Sequence, residues 1–204
     1  SLLEDIDRIE VVRGPGATLW GANAVNGVIN IISKNARDTL GGLATFGAGT
    51  EEEAFGSVRY GGKIGNDTYY RTYFKYQKRD QQVFSNGSPD HDGMAQVQGG
   101  FRLDSTQPGD NTFTLQGDIY ANDFQIFGRS DAENQGGNIL GRWTHAFSPL
   151  TDLQVQVYLD RGLRDVPLQF RELRTTYDLD TQFHAKTDGP NDFVVGLGYR
   201  TSAD

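Results

Sequence analysis

The chain has no cysteine, which excludes disulfide staples and structural zinc–thiolate sites. It has no run of 20 apolar residues, so no segment is long and apolar enough to cross a bilayer as a helix. A Gly-x-Ser-x-Gly elbow, a Gly-Lys-Ser/Thr phosphate loop, a His-Glu-x-x-His pair and a cysteine nucleophile are all missing. With them go the commonest hydrolase, nucleotide-binding and metalloprotease chemistries, and the expectation is a non-enzyme with no cofactor and no resident metal. Basic charge is short as well. Lys and Arg number 19 against 27 Asp and Glu, for a formal net charge of -8, so nucleic acid is not an expected partner. No signal peptide opens the chain, and its last residues, Tyr199 to Asp204, do not end on an aromatic residue. The expectation is a piece truncated at both ends.

What the chain does contain is alternation. Phe113, Leu115, Ile119 and Ala121 fall on one parity, with Thr114, Gln116, Asp118 and Asn122 on the other. Leu153, Val155, Val157 and Leu159 alternate with Gln154, Gln156 and Asp160, and Leu173, Tyr177, Leu179 and Phe183 with Arg174, Asp178, Asp180 and Gln182. A period of two with one apolar and one charged face specifies strands. Nine are predicted, near 40–50, 53–64, 68–79, 93–104, 112–125, 136–147, 152–163, 172–187 and 192–202. Most are longer than the soluble norm of about 5–6 residues. Their connections alternate too, short at 65–67, 105–111, 148–151 and 188–191 and longer at 80–92, 124–135 and 164–171. Tight turns on one rim and loops on the other are the rhythm of an outer-membrane barrel. A mean hydropathy of -0.55 is too polar for helical spans yet fits strands with one wet face. Alternation by itself also fits a soluble β-sandwich binding module of carbohydrate-binding type, the alternative reading. Tyr69, Tyr70, Tyr73, Phe74, Tyr76, Trp143 and Phe147 are candidates for an interfacial girdle, or for ordinary cross-strand packing.

The segment from Asp5 to Lys34 reads DIDRIEVVRGPGATLWGANAVNGVINIISK. Arg8 to Val12 alternates as a half-buried strand. Arg13-Gly14-Pro15-Gly16 stops it, since Pro15 offers no N–H and the glycines permit dihedrals that other residues resist. One or two helical turns are predicted over 17–24, then a turn at Asn26-Gly27 and a second strand at Val28–Ile32. This ordered string resembles the TonB-dependent outer-membrane receptor family, through RIEVVRGP, LWGANAV and NGVINIISK. The resemblance implies an all-β protein, an antiparallel up-and-down meander from a large transmembrane β-barrel with the end of its plug domain. It divides the chain into 1–36, the C-terminal part of the plug, and 37–204, the first nine or so barrel strands. In the family a plug closes a barrel of about 22 strands. The implied function is active uptake of a scarce ligand such as a ferric siderophore, haem or cobalamin. The implied partners are TonB, whose gripping segment would precede Ser1, outer-membrane lipid and a small metal chelate or vitamin.

The resemblance makes Arg8, Glu10 and Arg13 candidate plug-to-barrel ion pairs, against the alternative of surface charges on an edge strand. Gly14, Pro15, Gly16, Gly21 and Gly27 are expected to serve turns and close backbone approach. Elsewhere, His91, His145 and His184 are widely spaced, and His145 shares the apolar parity of Trp143. Asp90-His91-Asp92 is the best small constellation. In an extracellular loop its carboxylates and imidazole suit contact with a ferric or metal-chelate ligand, and otherwise it is a solvated loop. Open sheet edges predict that the piece self-associates.

Overall fold

The computed structural model describes residues 2–14, 26–126, 130–187 and 189–204. Among these residues two sheets are present, a two-stranded hairpin and a nine-stranded meander. The hairpin is β1 (Ile6–Arg13) against β2 (Gly27–Ser33), antiparallel from Ile6↔Ser33 to Arg13↔Gly27. At its tip the Gly14 N–H donates to Asn26 O at 3.2 Å, with Gly14 at φ 96°. A Cβ on Gly27 would stand 2.7 Å from Val12 O. Pro15, Gly16, Gly21 and the helical turn expected over 17–24 lie outside the described residues. A 3-10 turn, Leu3–Asp5, leads into β1, and a second, Ala36–Thr39, leads out of β2, its start capped by the Asn35 side chain accepting from the Arg37 N–H.

The larger sheet comprises β3 (Gly41–Gly47), β4 (Ala54–Ile64), β5 (Thr68–Arg79), β6 (Met94–Gln107) and β7 (Asn111–Phe124), followed by β8 (Ala132–Ser148), β9 (Thr151–Val166), β10 (Phe170–Lys186) and β11 (Asp192–Ala203). Their order in the sheet is their order in the chain, and every pair is antiparallel. This is the predicted meander. It is a single sheet, so the two facing layers that a β-sandwich requires are not formed among the described residues.

One expectation about the loops fails. The connection predicted to be long at 164–171 is a turn at 167–169, with Leu168 at φ 66°. The charges that looked like loop residues are cross-strand pairs. Arg171 meets Asp165 at 3.6 Å, and the Arg164 guanidinium lies 5.2 Å from the Phe170 ring. Strands that outlast the apolar band carry charge at their ends, which parity counting mistakes for loop.

Among the described residues the buried apolar side chains are Leu2, Ala36, Tyr73, Ala132 and Val166. The large apolar side chains sit instead on the outer parity, with Leu115, Ile119, Val157 and Leu179 all exposed. On the opposite parity the rungs are polar. Thr114, Arg142, Gln156 and Asp180 share one, and Asp118, Asn138, Asp160 and Thr176 another. The meander thus places its apolar face outward and its polar face toward the hairpin. No helix among the described residues is long and apolar enough to cross a membrane.

Candidate functional site: the ionic junction of hairpin and sheet

The hairpin joins the polar face of β4–β6 through buried charge. Asp5 ends the first 3-10 turn, where its own N–H donates to Leu2 O and its carbonyl accepts the Lys34 N–H at 2.8 Å. Those bonds hold Asp5 at the base of both hairpin strands, and its side chain is 0% exposed. One carboxylate oxygen accepts from Arg59 Nη1 at 2.6 Å; the other stands 3.4 Å from Arg71 Nε. That second oxygen has no hydrogen bond, so it is held by charge and not by a directed donor. Arg71, 3% exposed, also donates from Nη1 to Lys34 O at 3.1 Å and Thr39 Oγ1 at 3.5 Å. One guanidinium therefore touches the entrance and the exit of the hairpin.

A second cluster fixes the exit. Asp104 accepts two donors of Arg102 at 2.7 and 2.9 Å, the Thr114 hydroxyl at 2.7 Å and the Ala36 N–H at 2.8 Å. Arg102 Nη1 donates to Ser33 Oγ at 3.0 Å and Gln116 Oε1 at 2.9 Å. The backbone passes close enough to β4 that a Cβ on Gly61 would lie 2.1 Å from Thr39 O. One acid and three arginines of the sheet thus clasp Asp5, Ser33, Lys34, Ala36 and Thr39. Desolvation opposes the Coulomb attraction in such clusters, but leaving one member unpaired is costly, so they specify one docking geometry.

The predicted contact residues lie elsewhere on the hairpin. Arg8 pairs with Asp7 at 2.8 Å and Glu10 at 2.7 Å, and Glu10 also accepts from Asn30 at 3.1 Å. The Arg8 guanidinium, and then the Asn30 amide, hold the Glu10 carboxyl below the usual carboxylate range. Arg13 is exposed at the end of β1. Asp5, Arg59, Arg71, Arg102 and Asp104 went unnoticed in the sequence. Four of them lie on strands, and which strand residues meet the hairpin depends on sheet register, which alternation does not supply.

Asp90, His91 and Asp92 sit in the β5–β6 connection. The Gln82 N–H donates to the Asp92 carboxylate at 2.6 Å and the Asp90 N–H to Gln82 O at 2.8 Å, closing the loop neck. His91 takes φ 55°. Among the described residues no group of three His, Asp or Glu side chains is arranged to hold a metal ion.

No family model matches the chain. It is similar to the vitamin B12 transporter BtuB of Vibrio vulnificus, 40% identical over 48 residues, 24% of this chain and 8% of that protein. The ferric enterobactin receptor of Pseudomonas aeruginosa is 35% identical over 83 residues, 38% of this chain and 11% of the receptor. The probable TonB-dependent siderophore receptor PirA of Acinetobacter baumannii is 27% identical over 161 residues, 70% of this chain and 21% of that receptor. The matches thus span about a fifth or less of these relatives' own length. The resemblance to TonB-dependent outer-membrane receptors is thus carried by several curated proteins, each over part of this chain, and the antiparallel meander with its outward apolar face is consistent with it.

Proposed function

We propose that this chain is part of an outer-membrane transporter that takes up a scarce small molecule, a ferric siderophore, haem or cobalamin, driven by TonB. Residues 1–36 are the end of its plug and 37–204 its first nine barrel strands. The observation that carries the reading is the pairing of an outward apolar face with an inward hairpin held by Asp5, Arg59 and Arg71. A sheet with almost no apolar core needs a non-aqueous neighbour on its apolar side. A plug that must stay seated and yet yield to a pull suits a few specific charge pairs better than a broad apolar interface.

Within this reading Arg8, Glu10 and Arg13 face the remaining wall of the barrel, and Asp90, His91 and Asp92 lie on the loop rim, where a metal chelate first meets the protein. The names of the relatives include both siderophore receptors and a vitamin B12 transporter, so two ligands frame the test. The full-length protein, expressed in a strain lacking its own receptors, should accumulate radiolabelled ferric enterobactin or cobalamin, and only when TonB is present and energised. Accumulation independent of TonB, or of neither compound and no haem, overturns the proposal.

A further inference from the structure

On the outer face, beside the 108–110 turn, Asn111 opens β7 directly opposite His145 of β8. Its side-chain nitrogen donates to Pro108 O and Gly109 O, each at 3.0 Å. Both N–H bonds are thus committed and the amide orientation is set by the turn. The amide oxygen then accepts the Trp143 indole N–H at 3.0 Å and lies 3.1 Å from His145 Nδ1. An amide oxygen only accepts, so Nδ1 carries the proton and the lone pair of the neutral ring is at Nε2. The His145 ring stacks on Trp143, centroids 6.1 Å apart and planes 19° apart, and meets Phe147 edge-on at 4.5 Å. Phe147 is exposed on the outward surface.

Among the described residues the outer face around the ring carries no charged side chain. The residues opposite His145 in register are Asn111 and Leu153, neither ionisable. The charged residues close by, Asp152 with its partner His184 and Lys186 beside Leu150, take the opposite parity of their strands. The site is therefore an aromatic ladder with an imidazole acceptor, on a face without a cation.

We infer that Trp143, His145 and Phe147 form a binding site for the primary ammonium of a phospholipid headgroup of ethanolamine type. Nε2 accepts an ammonium N–H, and the aromatic faces take its charge. A choline headgroup offers charge but no N–H. A glycerol headgroup offers hydroxyls, but its net negative charge finds no cation here. The inference rests on the barrel reading above, with the tight-turn rim at the lipid–water interface.

Native mass spectrometry of the full-length protein in detergent, with equimolar palmitoyl-oleoyl phosphatidylethanolamine, phosphatidylcholine and phosphatidylglycerol, reads headgroup preference directly. The ethanolamine lipid should be retained about three-fold or more over the others, the scale of one net hydrogen bond. His145→Phe, which keeps the ladder and removes the lone pair, should abolish the preference. Equal retention of all three lipids, or an unchanged preference in His145→Phe, overturns the inference. If that variant does not fold, 15N-histidine spectra of the unsubstituted protein decide: the Nε2 resonance should move with the ethanolamine lipid and not with the choline lipid, and no movement overturns it. The barrel reading fails separately, in Trp143 emission that is the same in buffer and in lipid vesicles.

Discussion

Asp5 anchors the hairpin in this chain, although the charges that draw the eye are Arg8, Glu10 and Arg13. The difference is burial. Arg8 and Glu10 satisfy each other along their own strand and remain exposed, where ion pairs contribute little, whereas Asp5 is enclosed between two arginines. Asp5→Asn should weaken hairpin docking by about 3–5 kcal/mol, because it leaves buried guanidinium charge unpaired. Hydrogen exchange at the Lys34 and Ala36 amides should accelerate accordingly, while Arg8→Ala in the same 204-residue chain leaves both amides protected. A second residue-scale prediction concerns Glu52, in the 48–53 connection. Its carboxyl is held below the ordinary value of 4.5 by hydrogen bonds from Arg79 first and then Gln77. The folded form releases the proton more readily than the unfolded one, so this contribution is complete above pH 4.5 and fades as pH falls through the folded value. A carbon-13 titration of the Glu52 carboxyl should give a midpoint below 4.5 that rises in Arg79→Ala.

Individual strands carry the distinction between outward-facing and inward-facing positions. Val157 and Gln156 are neighbours in β9, but Val157 pairs with Gly141 and Leu179 on the outer face and Gln156 with Arg142 and Asp180 on the inner one. Val157→Arg should destabilise the protein in phospholipid by about 2–4 kcal/mol if Val157 sits near the midplane, and Gln156→Arg by much less. Guanidinium unfolding in lipid vesicles measures both, and equal costs would count against a membrane barrel. Gly61 tests another element, the exit turn at Ala36–Thr39. Gly61→Ala brings a Cβ to within 2.1 Å of Thr39 O and should cost roughly 1–3 kcal/mol, as other overpacked sites do. Strand positions were legible in the sequence because period-two patterning survives wherever one face is apolar, as in Phe113–Asn122. The 167–169 turn was not, because Arg161, Arg164, Asp165 and Arg171 put charge where a strand leaves the apolar band. The ionic junction was not legible: Arg59 and Arg71 meet Asp5, and Arg102 and Asp104 meet Ser33 and Ala36, through register between segments up to 69 residues apart, which no local pattern encodes.

At the scale of the molecule the governing fact is that the nine-stranded sheet ends in β3 on one side and β11 on the other, each paired with a single neighbour among the described residues. Every residue of β11 is exposed, including Phe193, Val195, Leu197 and Tyr199. An unpaired strand edge recruits another strand, and an outward apolar face in water recruits another apolar face. The 204-residue chain, prepared by itself in detergent-free buffer, should therefore self-associate in a concentration-dependent way, and detergent should disperse it. Sedimentation velocity with and without dodecyl maltoside measures this. Lys residues placed at Val195 and Leu197 address the face while leaving the backbone edge intact, so they should reduce association without ending it. Pro at Gly196 removes an edge N–H and should act on the remainder. A monomer in plain buffer at all concentrations would mean that the outward apolar residues are covered within the chain itself, which an open meander with an exposed apolar face does not allow.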